Sequence, residues 1–203
     1  MKKIDVLIRI ADALERLSPV EEIPVNFEEG NYFVWTSNPD SLMVTKNVKV
    51  LDANHLFGIE DLKNILIANT RQFAKGFSAN NALLWGARGM GKSSLVLSVC
   101  SMFSKDKLKL IEISREELGS LGRLLSLIKL SPHRFVIFCD DLSFGTDEVE
   151  YKTLKALLDG GLQSRPENVI FYATSNRRHL IPRDMIENES STAVNPSESI
   201  EEK

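Results

Sequence analysis

The chain has 203 residues, 43% of them hydrophobic and 26% charged, which is enough apolar material for one domain with a sizeable core. Its formal net charge of −3 argues against a surface built throughout for nucleic acid and leaves only a local basic patch open. Cys100 and Cys139 lack metal-ligand spacing and read as buried free thiols, no apolar run is long enough for a membrane, and a reducing cytoplasm is the expected compartment.

In chain order, Ile4, Leu7, Ile8, Ala11 and Leu14 repeat at helical spacing, with Asp5–Arg9 and Asp12–Arg16 as i,i+4 pairs on the other side. The spacing predicts an amphipathic helix ending near Ser18-Pro19, whose apolar stripe packs on the chain's own core or on a partner. Residues 1–50 read as this helix plus a small N-terminal extension. Within it, Tyr32–Trp35 and Leu42–Val50 are strand candidates around the turn residues Ser37-Asn38-Pro39-Asp40, and Trp35 reads as a packing residue.

His55–Ile59 leads into a helix marked by Leu62, Ile65, Leu66, Asn69 and Phe73, which closes near Gly76. Phe57 and Gly58 are candidates to contact a nucleotide base, which needs flat apolar surface, and a plain helix lead-in explains them equally well.

Asn80–Val96 reads NNALLWGARGMGKSSLV, in which Gly86 and, after four residues, Gly91-Lys92-Ser93 fit the phosphate-loop pattern G-x-x-x-x-G-K-[ST]. Ala82–Trp85 suits a buried strand, and Leu95, Val96, Val99 and Phe103 carry helical spacing, so strand, loop and helix come in the required order. Glycines at 86, 89 and 91 let successive N–H groups turn onto phosphate oxygens, and the helix N-terminus behind them adds partial positive charge. Lys92 is the candidate for the β- and γ-phosphates and Ser93 for Mg²⁺. Gly86, Ala87, Arg88, Gly89, Met90, Gly91, Lys92, Ser93 and Ser94 form the candidate nucleotide-binding loop. The competing reading is a glycine-rich turn with an incidental lysine.

Leu108–Ile113 alternates as a strand, Ser114 and Glu117 have capping-box spacing, and Leu121, Leu124, Leu125 and Ile128 form a helical stripe that stops at Ser131-Pro132. Phe135–Cys139 suits a strand buried on both faces and closes in Asp140-Asp141. Alone, that ending is more simply a turn cap. With the phosphate loop upstream, Asp140 becomes the Mg²⁺-holding carboxylate and Asp141 the candidate base for the attacking water.

Asp147–Leu158 reads as a helix stopped by Gly160-Gly161. Val169–Thr174 is a further apolar strand ending in Ser175-Asn176, which a parallel sheet brings to the same edge as Gly86 and Asp140. Asn176 either orients the water or serves as a turn residue. Arg177, Arg178 and His179 form a small basic cluster, and residues 183–203 read as an acidic tail or linker.

In this order the lead-in Leu56-Phe57-Gly58, Walker A (Gly86–Ser93), Walker B (Phe135–Asp141) and a sensor-1 asparagine (Asn176) resemble an AAA+ ATPase. More narrowly, NNALLWGARGMGKSSLV, RFVIFCDDLSF, LDGGLQSRPENV and YATSNRRHLIP resemble the bacterial predicted ATPases grouped as domain of unknown function 815, over about Leu51 to Pro182. The resemblance implies an α/β P-loop NTPase fold, AAA+-like over residues 51–182, with a parallel sheet in the order 5-1-4-3-2 flanked by helices. It also implies ATP and Mg²⁺ at the carboxyl edge, and homo-oligomeric rings or filaments in which a neighbour supplies an arginine finger. In that group Asp-Asp is the normal Walker B ending. Its members continue past the equivalent of Lys203 into an arginine finger, a fifth strand and a helical lid. The sheet is therefore expected to be incomplete, with Ala82–Trp85 as an edge and weak hydrolysis.

Ile113–Leu118 lacks the aromatic-hydrophobic-glycine pore loop of unfoldases, which disfavours protein threading. The expected function is ATP binding with Mg²⁺-dependent hydrolysis. The alternative is a nucleotide-gated module resembling a helicase loader, contacting protein or DNA through Arg177, Arg178 and the N-terminal helix. A small-molecule kinase is disfavoured, because no segment resembles a second substrate site.

Overall fold

Six strands form one sheet in the computed structural model, which describes residues 25–143 and 165–176. The elements are β1 (Tyr32–Ser37), β2 (Asp40–Val44), α1 (Glu60–Ala74), β3 (Ala82–Trp85), α2 (Lys92–Met102), β4 (Leu108–Ile113), α3 (Leu121–Ile128), β5 (Arg134–Cys139) and β6 (Val169–Ser175). Their order in the sheet is β2-β1-β4-β5-β6-β3, with β1 and β2 antiparallel and every other pair parallel. The stretch β3-β6-β5-β4 is the 1-4-3-2 part of the expected order, so the α/β P-loop, AAA+-like arrangement is present. Among the described residues β3 is the outer strand on its side, and Leu83 and Trp85 are partly exposed there.

The period of two in each strand divides the core into two layers. Phe135, Ile137 and Cys139 of β5, with Val169, Phe171 and Ala173 of β6, pack under Leu121, Leu124, Leu125 and Ile128 of α3. Val136, Phe138, Ile170 and Tyr172 face the other way and meet Leu66 and Phe73 of α1 and Leu95, Val96 and Val99 of α2. Strands covered on both faces read as continuous apolar runs for this reason. Each buried Val, Leu, Ile or Phe among them contributes roughly 1.5–3 kcal/mol by leaving water.

The segment read as an extension adds β1 and β2 to this same sheet. Phe33 and Trp35 alternate into the core, beside Ile111 and Ile113 of β4, and Trp35 Nε1 donates to Ser120 Oγ at 2.7 Å. Trp35 is thus a packing residue, as expected. The second strand differs from the expected Leu42–Val50: its register with β1 runs from Ser37↔Asp40 to Phe33↔Val44, so it starts and ends earlier.

Two further expectations need correction. The buried stripe of α1 is Leu66, Thr70 and Phe73, while Leu62 and Ile65 are exposed. Thr70 Oγ1 pairs with the Tyr172 hydroxyl at 2.8 Å and Asn69 Nδ2 donates to it at 2.9 Å, which allows polar groups on that stripe. Ser114 does not cap through its side chain, because the chain opens there as a 3-10 turn over Arg115–Ser120, with Glu117 N donating to the Ser114 carbonyl at 3.1 Å.

Cys100 and Cys139 are buried free thiols, as expected. Burial raises the pKa of Cys100 and, as the largest cause, pushes Cys139 up to about 12. Among the described residues no helix is long and apolar enough to cross a membrane. The expected helices at 4–16 and 147–158, the cluster Arg177–His179 and the tail 183–203 lie outside the described residues.

Candidate functional site

The carboxyl ends of β3, β5 and β6 converge on the N-terminus of α2, and strand parity explains which side chains meet there. Asp140 continues the β5 series Val136–Phe138, and Thr174 and Asn176 continue the β6 series Ile170–Tyr172, all on the face covered by α2. Gly91 precedes α2 with φ 75°, a left-handed conformation that costs a side chain strain, and a Cβ there would lie 3.2 Å from Leu56 Cδ2. Helix α2 then begins at Lys92 and Ser93, so both are displayed with its free N–H groups.

Lys92 is only 9% exposed. Its ammonium donates to the Gly86 carbonyl at 2.8 Å, the Ala87 carbonyl at 2.7 Å and Asn176 Oδ1 at 3.1 Å, which uses all three N–H donors. Ser93 Oγ donates to Asp140 Oδ1 at 2.6 Å, and the Thr174 hydroxyl donates to the same oxygen.

Asp141 has φ 51°. Its N–H donates to Thr174 Oγ1 at 3.0 Å and to Asp140 Oδ1 at 3.1 Å. Its carboxylate accepts from Asn176 Nδ2 at 2.6 Å, and Arg88 Nη2 lies 3.7 Å from the other oxygen. The Arg88 pair is exposed on both sides and contributes little to stability.

These groups bound a cavity of about 360 Å³ lined by Arg88 to Ser94, Asp140, Asp141, Thr174 and Asn176. Its donor set fits a magnesium nucleotide: an ammonium and a helix N-terminus for phosphate, and a hydroxyl beside a carboxylate as hard oxygen ligands for Mg²⁺. A neighbouring cavity of about 380 Å³ shares Asp140 and Asp141 and adds Glu112, Ser114, Arg115 and Glu116. Packing around Glu112, and then the charge of Asp140, push its carboxyl pKa up even though part of the side chain meets solvent.

Of the sequence-predicted residues, Gly86 and Ala87 join the site through their carbonyls. Phe57 and Gly58 do not line the cavity. Phe57 is 80% exposed, and Gly58 donates its N–H to Glu60 Oε1 at 3.1 Å, which is a helix lead-in arrangement. Leu56, one residue earlier, is the part of that segment that reaches the loop. The residue missed from sequence is Thr174. The one sequence signal for it is its spacing of two from Asn176, which sets both on one face of the strand; the register that brings it to Asp140 is visible only in the structure.

The family described as "Protein of unknown function (DUF815)" matches residues 28–203. No curated protein matches the chain. Among solved structures, the chain is similar to the Thermotoga maritima RuvB Holliday junction branch migration motor, with 20% identity and a TM-score of 0.47 over 67% of this chain and 44% of that one. It is also similar to C. elegans PCH-2, with 18% identity and a TM-score of 0.43 over 68% of this chain and 41% of that one. The chain spans less than half the length of these structures.

Proposed function

The chain belongs to the DUF815 family, and from that premise we propose that it is an AAA+-like ATPase that binds ATP with Mg²⁺ and hydrolyses it. The observation that carries this reading is the convergence of Lys92, Asn176 and Asp141, with the Ser93–Asp140 pair beside them, in one cavity at the head of α2.

Lys92 exchanges the carbonyls of Gly86 and Ala87 for phosphate oxygens, a gain because an ammonium binds an anion more strongly than a neutral carbonyl. The N–H groups at the start of α2 hold the same charge. Ser93 and Asp140 are the residues that would hold Mg²⁺. When bound, the metal nucleotide supplies an electrophilic phosphoryl group whose developing charge the cation offsets. Asp141, oriented by Asn176, accepts the proton of the attacking water. An aspartate is shorter than a glutamate, so that water must sit close to it, and slow turnover is part of the reading. Homo-oligomeric assembly, implied by the resemblance, belongs to it as well.

Phosphate release in excess MgATP tests this. Release is expected from the parent chain, with a loss of at least about hundredfold in Lys92→Ala and in Asp141→Asn, the latter keeping its ATP affinity. Equal release by Lys92→Ala would place any activity elsewhere.

A further inference from the structure

We infer that Thr174 is a positioning residue that sets both carboxylates of the site, a role that rests on the nucleotide reading above. Its hydroxyl oxygen serves two partners at once: it donates to Asp140 Oδ1 and accepts the Asp141 N–H at 3.0 Å. Its backbone carbonyl accepts from Leu142 N at 2.7 Å. One residue of β6, itself 1% exposed, thereby holds the three successive residues that follow β5.

The need for this clamp follows from strand geometry. An extended chain continuing past Cys139 would send Asp141 to the α3 face, where Phe135, Ile137 and Cys139 point. The left-handed turn at Asp141 brings its carboxylate back to Asn176 Nδ2 at 2.6 Å instead. A residue with a side chain keeps that conformation only where its surroundings over-determine it. The bonds from Asp141 N to Thr174 Oγ1 and from Leu142 N to the Thr174 carbonyl do this.

The same hydroxyl orients Asp140. Ser93 Oγ, Thr174 Oγ1 and Asp141 N all donate to Oδ1 of that carboxylate. Among the described residues no hydrogen bond falls on Oδ2, so that oxygen would be free to help hold a cation. Valine has nearly the shape of threonine but lacks both hydroxyl bonds, whereas serine keeps them.

Two readouts on Thr174→Val and Thr174→Ser test the role. The first is the hydrogen-exchange rate of the Asp141 amide, expected to rise about tenfold or more in Thr174→Val and to stay within about threefold of the parent in Thr174→Ser. The second is nucleotide affinity with Mg²⁺ and with EDTA. Thr174→Val is expected to weaken MgATP binding about tenfold while changing metal-free ATP binding less than about twofold, and Thr174→Ser to restore the parent value. Unchanged amide exchange in Thr174→Val, equal impairment of both variants, or equal loss with and without Mg²⁺ would overturn the inference. If the parent chain bound no ATP, the nucleotide reading would fall and the metal half of this inference with it. The amide rate would still decide whether Thr174 holds Asp141.

Discussion

Lys92 Nζ donates to Asn176 Oδ1 at 3.1 Å while the amide nitrogen of the same Asn176 donates to Asp141 Oδ1 at 2.6 Å. The chemistry fixes the amide's orientation, since an ammonium only donates and a carboxylate only accepts. Asn176 thus links the phosphate-loop cation to the carboxylate proposed to handle water. Asn176→Ala is expected to lower phosphate release by about tenfold or more with ATP affinity within about threefold, because positioning acts on the chemical step. Asn176→Asp sets a second carboxylate against Asp141 and is expected to cost more than the alanine. Steady-state kinetics beside equilibrium binding checks both, and a pure affinity effect would contradict the role.

Gly91 enters α2 at φ 75°, with Leu56 Cδ2 3.2 Å from where a Cβ would stand. Gly91→Ala is expected to lose roughly 1–2 kcal/mol, through left-handed strain at an L-residue and the push on Leu56. Urea denaturation measures this. An unchanged midpoint would mean that the loop relaxes around the methyl group.

Much of the arrangement was legible in the residues themselves. Phosphate-loop spacing, an apolar strand closing in Asp140-Asp141 and another closing in Ser175-Asn176 leave few ways to place three strands and a helix N-terminus. What local pattern could not convey was pairing. That Tyr32–Trp35 joins β4 depends on register between distant strands. Asp141 turns back to the loop because of a hydroxyl on another strand, Thr174, which from sequence is one more residue of an apolar run. The stripe of α1 misled for a related reason: Ile65 has the helical spacing of a core residue, but Thr70, paired with Tyr172, is what the sheet accepts.

Trp35→Phe tests whether the β1–β2 hairpin belongs to the core. The change removes the 2.7 Å bond to Ser120 Oγ and leaves a small void, an expected cost of roughly 1–3 kcal/mol in urea denaturation. A loss under a few tenths would mean the hairpin unfolds apart from the rest of the sheet.

Burial holds Cys139 protonated, from an ordinary 9.0 up to about 12, and Tyr172 from 10.0 up to about 12. Between those values the unfolded chain binds fewer protons than the folded one, so stability falls as pH rises from 9.0 toward about 12 and is fully present below that window. The urea midpoint is expected to be flat near neutrality and to drop across the alkaline range, less steeply in Tyr172→Phe. A midpoint independent of pH would show that these groups ionise equally in both states.

The most direct measurement is calorimetric titration of MgATP into the parent chain and into Lys92→Ala, with circular dichroism confirming that both are folded. One saturable site is expected in the parent, weakened about hundredfold or lost in the variant. No saturable binding by the parent, or the same affinity in both proteins, would contradict the assignment of the cavity at the head of α2 as a nucleotide site.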